Sequence, residues 1–399
     1  MSLKGERMNI CFVGKMNVGK STLINKIVSQ DVSIVSEVAG TTTDPVSKRY
    51  ELIPIGAVSF FDTAGYDDTT ALGEKRLSAT IRVLYKSDLA VVVLDEQGMK
   101  AQDFDIISRL EDFKIPYIVV FNKVDIKEAN KDDIAYFKQK EIEVVSFSSI
   151  SSSPEIIKTA IIKAVERIKK KELLVLSGLI KKGDTVVLVM VTDSSAPKGR
   201  IILPQMQVLR EILDAGATAI CCGEEELSDT IDNLSTKPNL VITDSQVIDR
   251  VSRAVPKGIV LTTFSVLYAR YKGDLKYLIQ GIEALDSVGK DDKILIAEGC
   301  SHHTTCDDIG SVKIPKWLDE YLDCTPTKEV TTGSHFPNDL DKYKLVIHCG
   351  GCMLTRTEML NRMKAGKDQN VPITNYGMFI SKVNGVLDRV TKDLKEESD

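Results

Sequence analysis

A chain of 399 residues exceeds the ~100 to 200 residues of one domain and sets an expectation of two or three. Hydrophobic residues at 43% and charged residues at 27% exclude a disordered chain, and a net charge of −5 offers no general attraction for phosphate backbones, so composition disfavours nucleic acid as the main partner. The longest apolar runs, Leu89–Leu94 and 186–191, hold six residues each, against the ~20 that cross a bilayer, so no membrane partner is expected. The opening MSLKGERMNICFVGK lacks the apolar stretch of a secretory signal, which sets an expectation of a cytoplasmic protein with reduced cysteines.

From residue 8 to about 170, short apolar runs (MNICFV, VSFF, LAVVVL, YIVVF, EVVSFSS) alternate with longer mixed segments. That alternation predicts an α/β domain with a mostly parallel sheet covered on both faces. The basic, glycine-containing stretch 169–183 reads as a linker. A second alternation runs through TVVLVMV, ATAICC, NLVIT and GIVLTT. A third begins with a helix over 264–285 and continues through KILIAEG, KLVIHCGG and VPITNYG. The expectation is three α/β domains, 1–172, 180–264 and 265–399, the last two smaller and also mostly parallel.

Gly14-Lys15-Met16-Asn17-Val18-Gly19-Lys20-Ser21 lies between the strand NICFV and the helix STLINKIV, as a phosphate-binding loop requires. Its glycines let backbone N–H groups turn inward, and the following helix N-terminus adds positive potential. Gly14, Val18, Gly19, Lys20, Ser21 and Thr22 form the expected cradle, with Lys20 on the terminal phosphates and the Ser21 hydroxyl on Mg²⁺. Asp62-Thr63-Ala64-Gly65 follows a strand, placing a carboxylate for the magnesium and a glycine N–H for the γ-phosphate. Asn122-Lys123-Val124-Asp125 follows another; an aspartate there accepts two hydrogen bonds from the N1 and N2 donors of guanine, which adenine lacks. The expected nucleotide is GTP.

These three motifs resemble those of the TRAFAC-class GTPases. Asn17 and the run Gly40-Thr41-Thr42-Thr43-Asp44 resemble the MnmE and Era-like branch. The resemblance implies that Asn17 helps hold K⁺ against the phosphates, that Thr42 ligates Mg²⁺, and that Ser148 and Ser149 form the loop under the base. Lys20, Thr42, Asp62 and Gly65 are then the residues of the hydrolysis step. Two positions depart from the pattern: Thr43 replaces an arginine common in that branch, and Tyr66 stands where Ras-like enzymes carry the glutamine that orients water. Slow hydrolysis, suited to a switch, is expected.

Cys300-Ser301-His302 follows the strand KILIAEG, and His348-Cys349-Gly350-Gly351-Cys352 follows KLVI. Two strand ends of an α/β sheet can converge at its carboxyl edge. Three readings compete: zinc on Cys300, Cys349, Cys352 and His302 or His348; an iron–sulfur cluster on the three thiolates; or plain reduced cysteines.

The order of a K⁺-type GTPase module, the segment Ala196-Pro197-Lys198-Gly199-Arg200, and CxH followed by HCxxC resembles the HydF family of FeFe-hydrogenase maturation GTPases over essentially the whole chain. The resemblance implies a 4Fe-4S cluster on Cys300, Cys349 and Cys352, with Glu298, His302 and His348 as rival fourth ligands, Glu298 on the same face as Cys300 if the strand persists. It also implies a transient diiron precursor as cargo, radical-SAM maturases and apo FeFe-hydrogenase as partners, and a homodimer formed through the middle domain. The competing expectations are a ribosome- or tRNA-associated GTPase with structural zinc, and a GTP-driven carrier of a single divalent ion.

Overall fold

The computed structural model describes residues 7–28, 37–38, 46–66, 71–169, 174–191, 202–299, 309–333 and 336–394. Thr42, the rest of the run 40–44, the segment 196–200, Cys300 and His302 lie outside them.

The chain forms two compact units, residues 1–172 and 173–399. In the first, seven strands build one sheet: β1 (Met8–Val13), β2 (Glu37–Val38), β3 (Val46–Leu52), β4 (Gly56–Asp62), β5 (Leu89–Leu94), β6 (Tyr117–Phe121) and β7 (Val144–Ser146), in the order β2-β3-β4-β1-β5-β6-β7. Strands β4, β1, β5, β6 and β7 are mutually parallel. Strands β2 and β3 run antiparallel at one edge, an addition to the five strands expected here.

Alternate residues of the central strands feed two cores. Ile10, Phe12, Val91 and Val93 enter one; Cys11, Val13, Val92 and Leu94 enter the other, which is why β5 and the 10–13 stretch of β1 are apolar throughout. The chain leaves β1 to build β2 to β4 on one side, then crosses to β5 on the other. The carboxyl end of β1 is therefore where connections diverge and a ligand finds a crevice.

The second unit holds two four-stranded parallel sheets. One has the order β11-β10-β8-β9, from β8 (Thr185–Val189), β9 (Thr218–Cys222), β10 (Leu240–Thr243) and β11 (Val260–Thr263). The other has the order β13-β12-β14-β15, from β12 (Lys293–Ala297), β13 (Thr327–Thr331), β14 (Leu345–His348) and β15 (Ile373–Asn375). One apolar cluster runs from Val175 to Leu394 through both sheets, across the expected boundary near 264.

Three expectations change. Residues 169–183 are not simply a linker: Val175 and Leu176 are buried in this core, and their N–H groups donate to the Glu211 carboxylate. The single helix expected over 264–285 is two, Phe264–Lys272 and Leu275–Glu283, because the backbone turns extended at Gly273 and the Asp274 side chain caps the second helix. Strand β12 ends at Ala297, one residue short of Glu298, so the alternation that would align Glu298 with Cys300 is not present. No helix of the described residues is long and apolar enough to cross a membrane.

Candidate functional site

In the first unit the phosphate loop links β1 to the helix Lys20–Val28. A Cβ on Gly14 would sit 2.4 Å from the Val93 carbonyl oxygen, and Gly19 adopts φ +97 with its Cβ direction 2.3 Å from Asn122 Nδ2, so both positions exclude side chains. Asn17 takes φ 60 and is exposed at the loop's crest. Lys20, 7% exposed, donates its ammonium to the carbonyls of Gly14 and Lys15, both at 2.7 Å. The ammonium is thereby held over the loop.

The Ser21 hydroxyl donates to Asp62 Oδ2 at 2.5 Å, although 41 residues separate them. Asp62 Oδ1 is buried and takes no hydrogen bond among the described residues. A hydroxyl beside a carboxylate with an orphaned oxygen is a donor set that fits Mg²⁺. Thr63 fastens the following segment to β1 by donating its hydroxyl to the Phe12 carbonyl at 2.7 Å. Gly65 then lies directly on the phosphate loop: a Cβ there would come within 2.5 Å of the Met16 nitrogen.

The base-side motif is tied to the same loop. Asn122, 1% exposed, donates through Nδ2 to the Val18 carbonyl at 2.8 Å and accepts at Oδ1 from the Ser149 hydroxyl at 3.2 Å. Ser148 shapes its own turn, accepting at its hydroxyl oxygen from the N–H groups of Ile150 and Ser151. Lys123 takes φ 62, and Asp125 is exposed at the mouth of the site. Thr22 is exposed on the first turn of the helix after the loop.

Sequence reasoning missed Asp103. It is fully buried in the helix Ala101–Asp112, accepts from the Tyr66 hydroxyl, and pairs with Lys15 of the phosphate loop at 3.2 Å. Tyr66 is therefore turned toward that helix. Nothing in the linear sequence sets Asp103 apart from the acidic residues around it.

In the second unit β12 and β14 are adjacent and parallel, with Ala297 opposite His348, so the two cysteine-bearing loops leave the same sheet edge side by side. The Cys349 sulfur accepts the N–H of Gly299 at 3.0 Å and that of Gly351 at 3.4 Å. Gly351 takes φ +64, and a side chain there would meet the Met359 Cε at 2.4 Å. Burial pushes the Cys349 thiol up to about 11 and raises that of Cys352, where the Lys272 charge opposes it. Two sulfurs in one loop, one of them already receiving two amide donors from both loops, are a donor set that fits a thiolate-bound cluster. The described residues contain no group of three or more metal-type side chains, Cys300 lying outside them.

The rival ligands differ in surroundings. His348 is 1% exposed, and both ring nitrogens are engaged: Nδ1 donates to the Cys349 carbonyl at 2.7 Å, and Nε2 accepts from Arg362 at 2.9 Å. Burial, then the Arg362 charge, pushes it down to about 3, so it is neutral. Glu298, 4% exposed, lies at the sheet edge where the Tyr376 hydroxyl donates to it at 3.3 Å, and its carboxylate packs on Gly310. Two buried cations that sequence reasoning overlooked, Lys272 and Arg362, flank this loop.

Family models agree with this division. One described as a 50S ribosome-binding GTPase matches residues 9–123, so the first unit carries a GTPase domain. One described as the hydrogen maturase F dimerization domain matches 175–273, and one described as its tetramerization domain matches 276–393, together more than half of the chain. The chain belongs to the hydrogen maturase F (HydF) family. HydF membership thus rests on the second unit, and the GTPase relatives cover the first. The chain is 40% identical over 124 residues to the tRNA modification GTPase MnmE of Chromobacterium violaceum, covering 30% of this chain and 27% of that protein. It is 30% identical over 151 residues to GTPase Der of Nitratiruptor sp., covering 37% and 32%. The match thus spans about a third of the length of these curated relatives. A crystal structure of Aquifex aeolicus Era aligns at 23% identity over 53% of this chain and 91% of that one, with a TM-score of 0.31.

Proposed function

We propose that this chain is a scaffold and carrier in FeFe-hydrogenase maturation. It binds a 4Fe-4S cluster through Cys300, Cys349 and Cys352, receives a diiron precursor from radical-SAM maturases, and passes it to apo-hydrogenase. The observation that carries the reading is the pair of amide donors on the Cys349 sulfur, one from the neighbouring strand's loop, in a chain whose second unit matches the two HydF models. A cluster on three thiolates leaves one iron open to an exchangeable ligand. Glu298 is the described side chain suited to that position, since His348 is held by Arg362.

GTP hydrolysis gates the partners. Lys20 and the loop amides bind the phosphates, Ser21, Thr42 and Asp62 hold Mg²⁺, and Gly65 meets the γ-phosphate. Asn17 orients K⁺, whose charge replaces an arginine finger. Asn122, Lys123 and Asp125, with Ser148 and Ser149, select guanine. Self-assembly runs through 175–273 and 276–393, by the descriptions of the matching models.

Air-free purification followed by reconstitution tests this. Iron and acid-labile sulfide near four each per protomer, with an EPR-active reduced state and GTP-dependent activation of apo-hydrogenase, are expected. Colourless protein with zinc and no sulfide would instead support the ribosome- or tRNA-associated reading.

A further inference from the structure

Lys272 closes the helix Phe264–Lys272, which begins directly after β11 of the first four-stranded sheet. It is 3% exposed, a depth at which an ammonium is costly unless its donors are satisfied. Three of its hydrogen bonds run to one short segment of the other sheet's loop. The ammonium donates to the carbonyls of Gly351 at 3.1 Å, Cys352 at 3.1 Å and Leu354 at 2.7 Å, and lies 5.3 Å from the centre of the Tyr268 ring. The partners are 79 to 82 residues away in sequence. The cation comes from the segment matched by the dimerization model, and the loop from the segment matched by the tetramerization model.

Planar trans peptides point N–H and C=O in opposite directions. Drawing the Gly351, Cys352 and Leu354 carbonyls onto one ammonium therefore turns the N–H groups of Cys352, Met353 and Thr355 away from it. Outward amides in a tight loop form a concavity suited to an anion. The same cation places a full positive charge beside Cys352.

We propose that Lys272 is a positioning residue for the cysteine loop, fixing its carbonyls inward and lending its charge to the anionic cluster bound above. The cluster part rests on the function proposed above; the loop part does not. Removing the charge makes the reduced, more negative cluster less favourable, so the reduction potential falls.

The test uses the full chain with Lys272→Met and Lys272→Arg. In metal-free protein, hydrogen exchange of the amides at 351–355 is expected to be roughly tenfold faster in the Met variant and close to wild type in the Arg variant. After anaerobic reconstitution with ferrous iron and sulfide, the Met variant's cluster, followed by EPR, is expected to reduce at a more negative potential, while the Arg variant keeps the wild-type value. Should the Met variant not fold, Lys272→Gln, which keeps two donors without the charge, should retain the slow exchange and show the lowered potential. Wild-type exchange in Lys272→Met, or an unshifted potential in both uncharged variants, would overturn the proposal. A wild-type chain that takes up no iron or sulfide would overturn the cluster reading, while the exchange measurement still decides whether Lys272 holds the loop.

Discussion

The Tyr66 hydroxyl donates to Asp103, the same buried carboxylate that pairs with Lys15 in the phosphate loop, so one side chain fastens the start of the γ-phosphate-sensing segment to the nucleotide cradle. Tyr66 thus has its hydroxyl committed to this carboxylate. Tyr66→Phe should leave GTP hydrolysis within about threefold of wild type in single-turnover assays, under 1 kcal/mol of barrier. A tenfold loss would instead put the hydroxyl at the reacting water. In thermal unfolding, Tyr66→Phe and Asp103→Asn should each destabilise by about 1 to 2 kcal/mol, and the double variant by clearly less than their sum.

Asn17 has a positive φ at the exposed crest of the loop, and on the proposed reading it orients a monovalent cation beside the phosphates. Hydrolysis should be faster in KCl than in NaCl at equal ionic strength. Asn17→Ala should bring the K⁺ rate down toward the Na⁺ rate, with GTP affinity changed much less. Equal wild-type rates in the two salts would remove Asn17 from this role.

On the proposed reading Asp125 accepts two hydrogen bonds from the base, so reversing one of them exchanges the preferred purine. Asp125→Asn should weaken GTP binding roughly 100-fold and strengthen that of xanthosine triphosphate, whose ring presents an acceptor in place of the N2 donor. Titration with fluorescent analogues of both nucleotides measures the exchange directly.

Arg362 and Glu358 form a buried pair at 2.9 Å, with side chains 2% and 7% exposed. Arg362→Met strands the carboxylate in the interior and leaves His348 Nε2 without that donor. The expected cost is about 3 to 5 kcal/mol, and Arg362→Met with Glu358→Leu should recover most of it. Denaturant melts of the two variants give the comparison.

The nucleotide site was legible because each of its motifs sits at a strand end and carries its own glycine or capping chemistry. Gly14, Asp62 and Asn122 all fall where the parallel strands β1, β4 and β6 stop. Strand β3 carries a short alternation, Tyr50 and Leu52 being buried beside the exposed Glu51, but Lys48, Arg49 and Glu51 interrupt the apolar run that marks the other strands. Strand β13 gave no signal: at a sheet edge TKEVT buries little, and its polar residues satisfy water. Lys272 was illegible for another reason. A lysine at a helix end reads as a solvated dipole partner, and only tertiary packing brings it to residues 351–354.

The last described α-helix, Leu387–Thr391, returns to the sheet built some 130 residues earlier: Arg389 donates to the Val255 carbonyl at 2.7 Å, and the Thr262 hydroxyl to that of Val390 at 2.9 Å. Cutting the gene between the two matched segments would therefore strip the earlier sheet of its C-terminal cover and expose apolar surface on both fragments. The half bearing the cysteines is not a portable cassette, and calorimetry on residues 173–399 should record one cooperative melt in which both sheets are lost together.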